Sequence, residues 1–184
     1  MNFRISKKII AGIFVTLLCA LGLAYYVLAP RESILNYEIQ RDKKFILSLF
    51  DKDWYWLSGY TREESDTDLF LERMSPSEEP QHAGKLVFKV MYANKQPAGF
   101  VGYYMKSARE GTILFIDVAH AFRRHHYGRK LLDYAVDALA QQGAAVVRLV
   151  TRTNNIPAQT LYKRAGFRET GRDDTYVFFE KRIV

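Results

Sequence analysis

The chain has 184 residues, enough for one domain with a sizeable core and too few for two ordinary ones. Its 27 Lys and Arg against 20 Asp and Glu give a formal net charge of +7, and no nucleic-acid-binding motif accompanies that charge, so no nucleic acid is expected as a partner. The single cysteine, Cys19, excludes an intrachain disulfide framework and a cysteine metal site, and no metal is expected.

Residues 1–8 form a basic tail carrying Arg4, Lys7 and Lys8. Ile9 to Leu28 follow as 20 residues without a charge, about the length that crosses a bilayer. Tyr25 and Tyr26 suit the interface at one end. A cleaved signal peptide has a shorter apolar core, of about 7–15 residues. Val27-Leu28-Ala29 could be a cleavage site, but Pro30 directly after it obstructs processing. Cys19 follows bulky Leu17 and Leu18, unlike a lipoprotein site. We therefore read residues 9–29 as an uncleaved transmembrane helix, with the lipid bilayer as a partner. Arg31 is the one basic residue in the ten after the span, so the positive-inside rule places the domain outside the cytosol. Arg41, Lys43 and Lys44 partly even that count.

The domain proper spans residues 33–184. Ile34 to Ile39 alternates loosely and reads as a first strand. Asp42 is a plausible N-cap for a helix through Phe45, Ile46, Leu49 and Phe50. Trp54 to Tyr60 and Thr61 to Met74 read as a second helical stretch with its connection. Ser75 to Pro80 is a loop by composition. Leu86 to Ala93 and Ala98 to Lys106 read as strands joined by a turn at Asn94-Lys-Gln-Pro97. Gly99 and Gly102 suggest a bulge or bend.

Thr112 to Leu132 organises the rest. Ile113 to Val118 is an apolar, partly β-branched run suited to a central strand. Then come Arg123, Arg124, His125, His126, Tyr127, Gly128, Arg129 and Lys130, and an apolar helical pattern through Leu131, Leu132, Ala135, Val136 and Leu139. A strand feeding a basic turn feeding a helix makes an anion site, because the unpaired N–H groups of the first helical turn and the helix dipole both favour negative charge. Ala145 to Val150 is a further apolar strand, a helix follows from Asn155, and Thr175 to Lys181 is a final strand.

Two stretches resemble the GNAT superfamily of acetyl-coenzyme-A-dependent N-acetyltransferases. Arg123-Arg-His-His-Tyr-Gly128 is similar to its Gln/Arg-x-x-Gly-x-Gly/Ala turn, matching at Arg123 and Gly128. His126 stands at the first glycine, and histidine is among the non-glycine residues that best tolerate positive φ. Asn155-Ile-Pro-Ala158-Gln-Thr-Leu161-Tyr162-Lys-Arg-Ala-Gly166-Phe167 resembles the later motif, Asn-x-x-Ala-x-x-Leu-Tyr-x-x-x-Gly-Phe, which implies that Gly166-Phe167 ends the helix and starts the next strand. The resemblance implies an α/β (α+β) GNAT fold. Its sheet is mixed and mostly antiparallel, with helices on both faces and a splayed parallel strand pair. Here those strands would be Ile113–Val118 and Ala145–Thr151, with the transmembrane helix placed before the domain.

The resemblance also implies a site. Acetyl-coenzyme A would lie on the backbone of Ile116 and Val118, on the turn Arg123, Arg124, His125, His126, Tyr127, Gly128 and Arg129, and on Asn155. Val118 N–H would polarise the thioester carbonyl and Tyr162 would protonate the departing thiolate. Asn155 also reads as an N-cap before Ile156-Pro157. Relatives carry a glutamate where this chain has Phe115 or Val150. Asp117 is the nearest carboxylate, readable either as a base with a raised pKa or as a structural aspartate. His120 could act through water.

The acceptor would be an amine on a protein or small molecule, drawn by Asp51, Asp53, Glu63, Glu64, Asp66 and Asp68, although those also read as a solvated face. Because acetyl-coenzyme A is cytosolic, a working enzyme favours a single-pass membrane protein with its domain in the cytosol. A non-catalytic acyl-coenzyme A-binding or interaction module at the membrane is the alternative.

Overall fold

The computed structural model of the protein describes residues 31–57 and 85–183. The basic tail, the stretch 9–29 read as a transmembrane helix, the helical stretch Thr61 to Met74 and the loop Ser75 to Pro80 lie outside the described residues. Among the described residues, no helix is long and apolar enough to cross a membrane.

The described elements run β1 (Glu32–Asn36), α1 (Ile39–Leu57), β2 (Val87–Ala93), β3 (Gln96–Ser107), β4 (Glu110–Val118), a 3₁₀ turn (His120–Phe122), α2 (Tyr127–Gln141), β5 (Val146–Arg152), α3 (Ile156–Arg164), β6 (Arg168–Arg172) and β7 (Tyr176–Arg182). The strands form one seven-stranded sheet in the order β1-β2-β3-β4-β5-β7-β6. Only β4 and β5 pair in parallel; every other neighbouring pair is antiparallel. The mixed, mostly antiparallel sheet expected from the sequence is present.

Alternation along the strands divides the core. Phe88, Val90, Tyr92 and Phe100 point to one face, where Ile46, Leu49 and Phe50 of α1 cover them at helical spacing. Val101, Tyr103, Ile113 and Val147 point to the other, against Leu131, Leu132, Ala135, Val136 and Leu139 of α2, with Tyr162 of α3. Helices therefore lie on both faces.

Several boundaries differ from the sequence reading. The first strand ends at Asn36 and α1 already begins at Ile39. Asp42 does not precede the helix: it is fully buried inside the first turns and reaches back to accept the Glu38 N–H at 2.9 Å. Trp54 to Leu57 continue α1 past a non-helical residue at Asp53 (φ −112°, ψ 21°) and do not open a new helix. The β2–β3 turn is only Asn94-Lys95, both at positive φ. The strand resumes at Gln96, and Pro97, which has no N–H for the ladder, sits where the register shifts at Met91/Tyr92. Arg168–Arg172 forms an edge strand on β7, starting just after Gly166-Phe167 as the motif resemblance implies.

Candidate active site

β4 and β5 pair only through Glu110↔Val146, Gly111↔Val147 and Thr112↔Arg148. Beyond Thr112 they part, as the splayed-pair expectation required. Ala119 N–H donates to Ala98 O at 2.9 Å, on the β3 side. Antiparallel ladders alternate, so the backbone groups of Ile116 and Val118 turn the other way, into the opened gap. Gly128 brings the start of α2 to the same place. A Cβ built there would meet Leu161 Cδ2 at 3.4 Å and Val118 Cγ2 at 3.8 Å.

The basic turn has two residues in the left-handed region, Arg124 (φ 69°) and His126 (φ 63°). His126 is the N-cap of α2 and makes no side-chain capping bond. It thus adopts the backbone that the glycine of the motif would supply. Arg124, His125 and His126 are exposed, and Arg124 makes no hydrogen bond or ion pair with any described residue. The other three side chains are turned elsewhere. Tyr127 is buried in the core, its ring near Phe122 and His125. Arg129 pairs with Asp133 at 2.6 Å and donates to the Arg164 carbonyl at 2.9 Å. Arg123 donates through Nε to Val118 O at 2.8 Å and through Nη2 to Asp53 at 2.7 Å and Asp117 at 3.3 Å. Sequence reasoning placed Arg123 and Arg129 against phosphate; their guanidinium groups instead hold β4 to α1 and α2 to α3.

Asp117 lies at the gap with only 11% of its side chain exposed. Its Oδ1 accepts the Val118 N–H at 2.7 Å, and its Oδ2 is buried without a partner among the described residues. Burial, with the neighbouring Asp53 charge, pushes its carboxyl up to about 7, against the pull of Arg123 and the Val118 N–H. That range fits a group that accepts protons near neutral pH. Asp53 comes from the kink in α1, and it borders a groove of about 580 Å³ shared with Ser48, Lys52, His120 and Arg123. Phe115 packs edge-on to Phe50 at 5.2 Å, and Val150 is 46% exposed on β5, so neither offers a base. His120 is exposed on the groove wall.

On α3, Tyr162 is buried, edge-on to Phe179 at 5.6 Å. Burial raises its phenol well above the usual range, and the Asp117 charge adds to the shift. Asn155 caps α3, its Oδ1 accepting the Ala158 N–H at 3.3 Å, with Pro157 next in the first turn. Two ties escaped sequence reasoning. Buried Gln159 donates to the Arg152 and Thr153 carbonyls at 3.2 and 2.7 Å, fixing α3 to the end of β5. Tyr55 of α1 meets the Arg152 guanidinium at 4.1 Å from its ring centre and accepts from Asn154 at 3.0 Å. The Gln159 tie spans only six and seven residues but has no motif of its own, and the Tyr55 tie joins elements distant in the chain.

Residues 44–167 match the family model described as Acetyltransferase (GNAT) family. The chain belongs to the GNAT family of acetyltransferases. A 60-residue segment, 33% of the chain, is 37% identical to the ribosomal protein bS18-alanine N-acetyltransferase of Escherichia coli K12 and spans 40% of that enzyme's length. Among solved structures, the PaiA N-acetyltransferase of Thermoplasma acidophilum in complex with coenzyme A superposes with a TM-score of 0.68. Its identity is 17%, covering 83% of this chain and 99% of that one. Ard1 from Thermoplasma volcanium gives 0.62 at 23% identity, covering 83% and 98%. The E. coli ribosomal-protein-S18-alanine N-acetyltransferase gives 0.60 at 18%, covering 83% and 94%.

The GNAT strand pair is held in place partly by Gly99. A Cβ there would lie 2.6 Å from the Asp117 carbonyl oxygen and 3.1 Å from Val118 Cα, so β3 can press on the β4 end only without a side chain. Gly99→Ala is expected to destabilise the domain by about 1–3 kcal/mol, as overpacking does. Gly128→Ala meets only ordinary contacts and should melt within a degree or two of wild type. Parallel thermal melts of the two variants check this.

Proposed function

We propose that this GNAT acetyltransferase moves the acetyl group of acetyl-coenzyme A to a primary amine by direct attack in a ternary complex. The observation that carries the reading is the parted β4–β5 pair, with the Ile116 and Val118 backbone turned into the gap and the α2 N-terminus at its end. An amide-rich cofactor arm can satisfy the Ile116 groups as an added strand would, while the Val118 N–H and carbonyl are held by Asp117 and Arg123 until a ligand replaces them. The exposed Arg124, His125 and His126 suit its phosphates, and the left-handed His126 leaves the first-turn N–H groups of α2 uncovered by a side chain. Asn155 keeps its side-chain amide NH₂ for a further acceptor after capping α3 with Oδ1. The coenzyme A held by the PaiA neighbour supports the same ligand.

Asp117 is the proton acceptor for the incoming ammonium, Val118 N–H the donor to the thioester carbonyl, and Tyr162 the proton donor to the leaving sulfur. A protein N-terminus is the first acceptor to test, because the curated relative is named for alanine N-acetylation of a ribosomal protein. A lysine or a small amine is next. The apolar stretch 9–29 anchors the domain to a membrane, with the domain on the cytosolic side, where acetyl-coenzyme A is made available.

Calorimetric titration of the full chain with acetyl-coenzyme A tests the reading. Saturable binding is expected, weakened about tenfold by Arg124→Glu. Arg129→Glu is a poorer probe, since it also breaks the ties to Asp133 and Arg164. Absence of binding by folded protein overturns the reading.

A further inference from the structure

The Val118 N–H is turned into the β4–β5 gap, and the Asp117 carboxylate already accepts it at 2.7 Å. The other Asp117 oxygen is buried and unpartnered among the described residues. Arg123 Nη2 bridges Asp117 to Asp53, which the α1 kink brings to the strand end. The charged groups acting on Asp117 are Asp53 from α1 and Arg123 from the turn after β4, and the Asp117 charge in turn acts on the Tyr162 phenol of α3.

We propose that the Val118 N–H is held first by the Asp117 carboxylate and then by the thioester carbonyl, so that thioester binding makes the Asp53–Asp117 pair a stronger proton acceptor. This rests on the acetyl-coenzyme A reading above. A carboxylate that loses an N–H donor in a buried site favours its protonated form. Burial and the Asp53 charge already hold the Asp117 carboxyl at about 7, so a further rise falls in the working range. Asp53 is a positioning residue, acting on the reaction through Asp117. In the step it serves, where Asp117 is still ionised, an N–H bond of the acceptor ammonium breaks and an O–H bond forms on Asp117. The nitrogen lone pair is left for attack. The N–H that polarises the carbonyl and the carboxylate that receives the proton are thereby coupled. Asp117 gains basicity when a thioester is in place to be attacked.

Titration calorimetry at pH 7, repeated in buffers of different ionisation enthalpy, counts the protons taken up on binding. The full chain is titrated with acetyl-coenzyme A and with free coenzyme A. The two ligands share every phosphate, so their difference isolates the acetyl group. Acetyl-coenzyme A is expected to take up more, by up to roughly half a proton. Asp117→Asn should remove the difference, and Asp53→Asn should reduce it about twofold or more, because Asp117 then falls back toward its ordinary range. Equal counts for the two ligands on wild-type protein overturn the proposal and leave acetyl-coenzyme A binding standing. A difference that survives Asp117→Asn also overturns it. Failure of both ligands to bind overturns the acetyl-coenzyme A reading and this proposal together.

Discussion

Replacing Tyr162 by phenylalanine should lower the acetyl-transfer rate by roughly 10²-fold or more, the usual contribution of a positioned general acid. Affinity for acetyl-coenzyme A should stay within about twofold, since the ring itself is retained. The ring packs on Phe179 at 5.6 Å and on Phe167 at 6.2 Å, and phenylalanine keeps both contacts. Losing one buried hydroxyl costs about 1 kcal/mol of stability, too little to unfold the domain. A rate loss would therefore report chemistry. The phenol's shift keeps it protonated while making it a weaker acid. Burial and the Asp117 charge keep its proton in place beyond its ordinary value near 10, so it stays ready to protonate a leaving thiolate. Steady-state kcat and KM with an N-terminal peptide, together with calorimetric affinity, check the prediction. A non-catalytic coenzyme A-binding module would show no change in either quantity.

Much of this arrangement was legible because it is local. The apolar run of β4, the helical spacing of Leu131 to Leu139 and the Asn155 cap each sit within one element, and each is present in the structure. The positive φ at His126 follows from its place between strand and helix, not from its side chain. What escaped reading is non-local. The motif resemblance starts a strand after Gly166-Phe167, but β6, Arg-Glu-Thr-Gly-Arg, is exposed along its whole length, so its extent is set by pairing with β7 and not by apolar alternation. Asp53 sits in a charged run that reads as a solvated face, yet it meets Arg123, 70 residues away. Arg129 occupies a motif position, but Asp133 and the Arg164 carbonyl decide where its guanidinium points. Sequence spacing identifies which residues reach a turn; the partners they meet there decide where their side chains point.

Asp42→Asn should cost the domain about 3 kcal/mol, the scale of removing a fully buried, charged hydrogen-bond acceptor from its donors. The melting temperature should fall by about 6–12 °C. Asp42 is fully buried and accepts from Arg41 at 2.9 and 2.8 Å, from the Glu38 N–H at 2.9 Å and from the Tyr92 hydroxyl. One carboxylate thus ties the start of α1 to β2. Arg41 also donates to the Asn36 carbonyl at 2.6 Å, which fixes β1 to the same corner. Asparagine keeps the shape but offers one acceptor oxygen and no charge. Burial alone would push the Asp42 carboxyl up, yet Arg41, Tyr92 and the Glu38 N–H together bring it below its ordinary value. Its stabilising contribution is therefore complete above its unfolded value near 4 and is lost as pH falls through the lower folded value. Tyr92 runs the other way. Burial, then the Asp42 carboxylate, raises its phenol, so that contribution holds below about 10 and is lost as pH rises through the raised value. The gap between wild-type and Asp42→Asn melting temperatures should be flat from about pH 5 to pH 9 and should close in acid. Tyr92→Phe leaves Arg41 and the Glu38 N–H on the carboxylate and should cost only about 1 kcal/mol. Urea and thermal melts of both variants across that range test the ordering. Equal losses for the two would mean that the Tyr92 bond, and not the contacts from Arg41 and the Glu38 N–H, accounts for what Asp42 contributes.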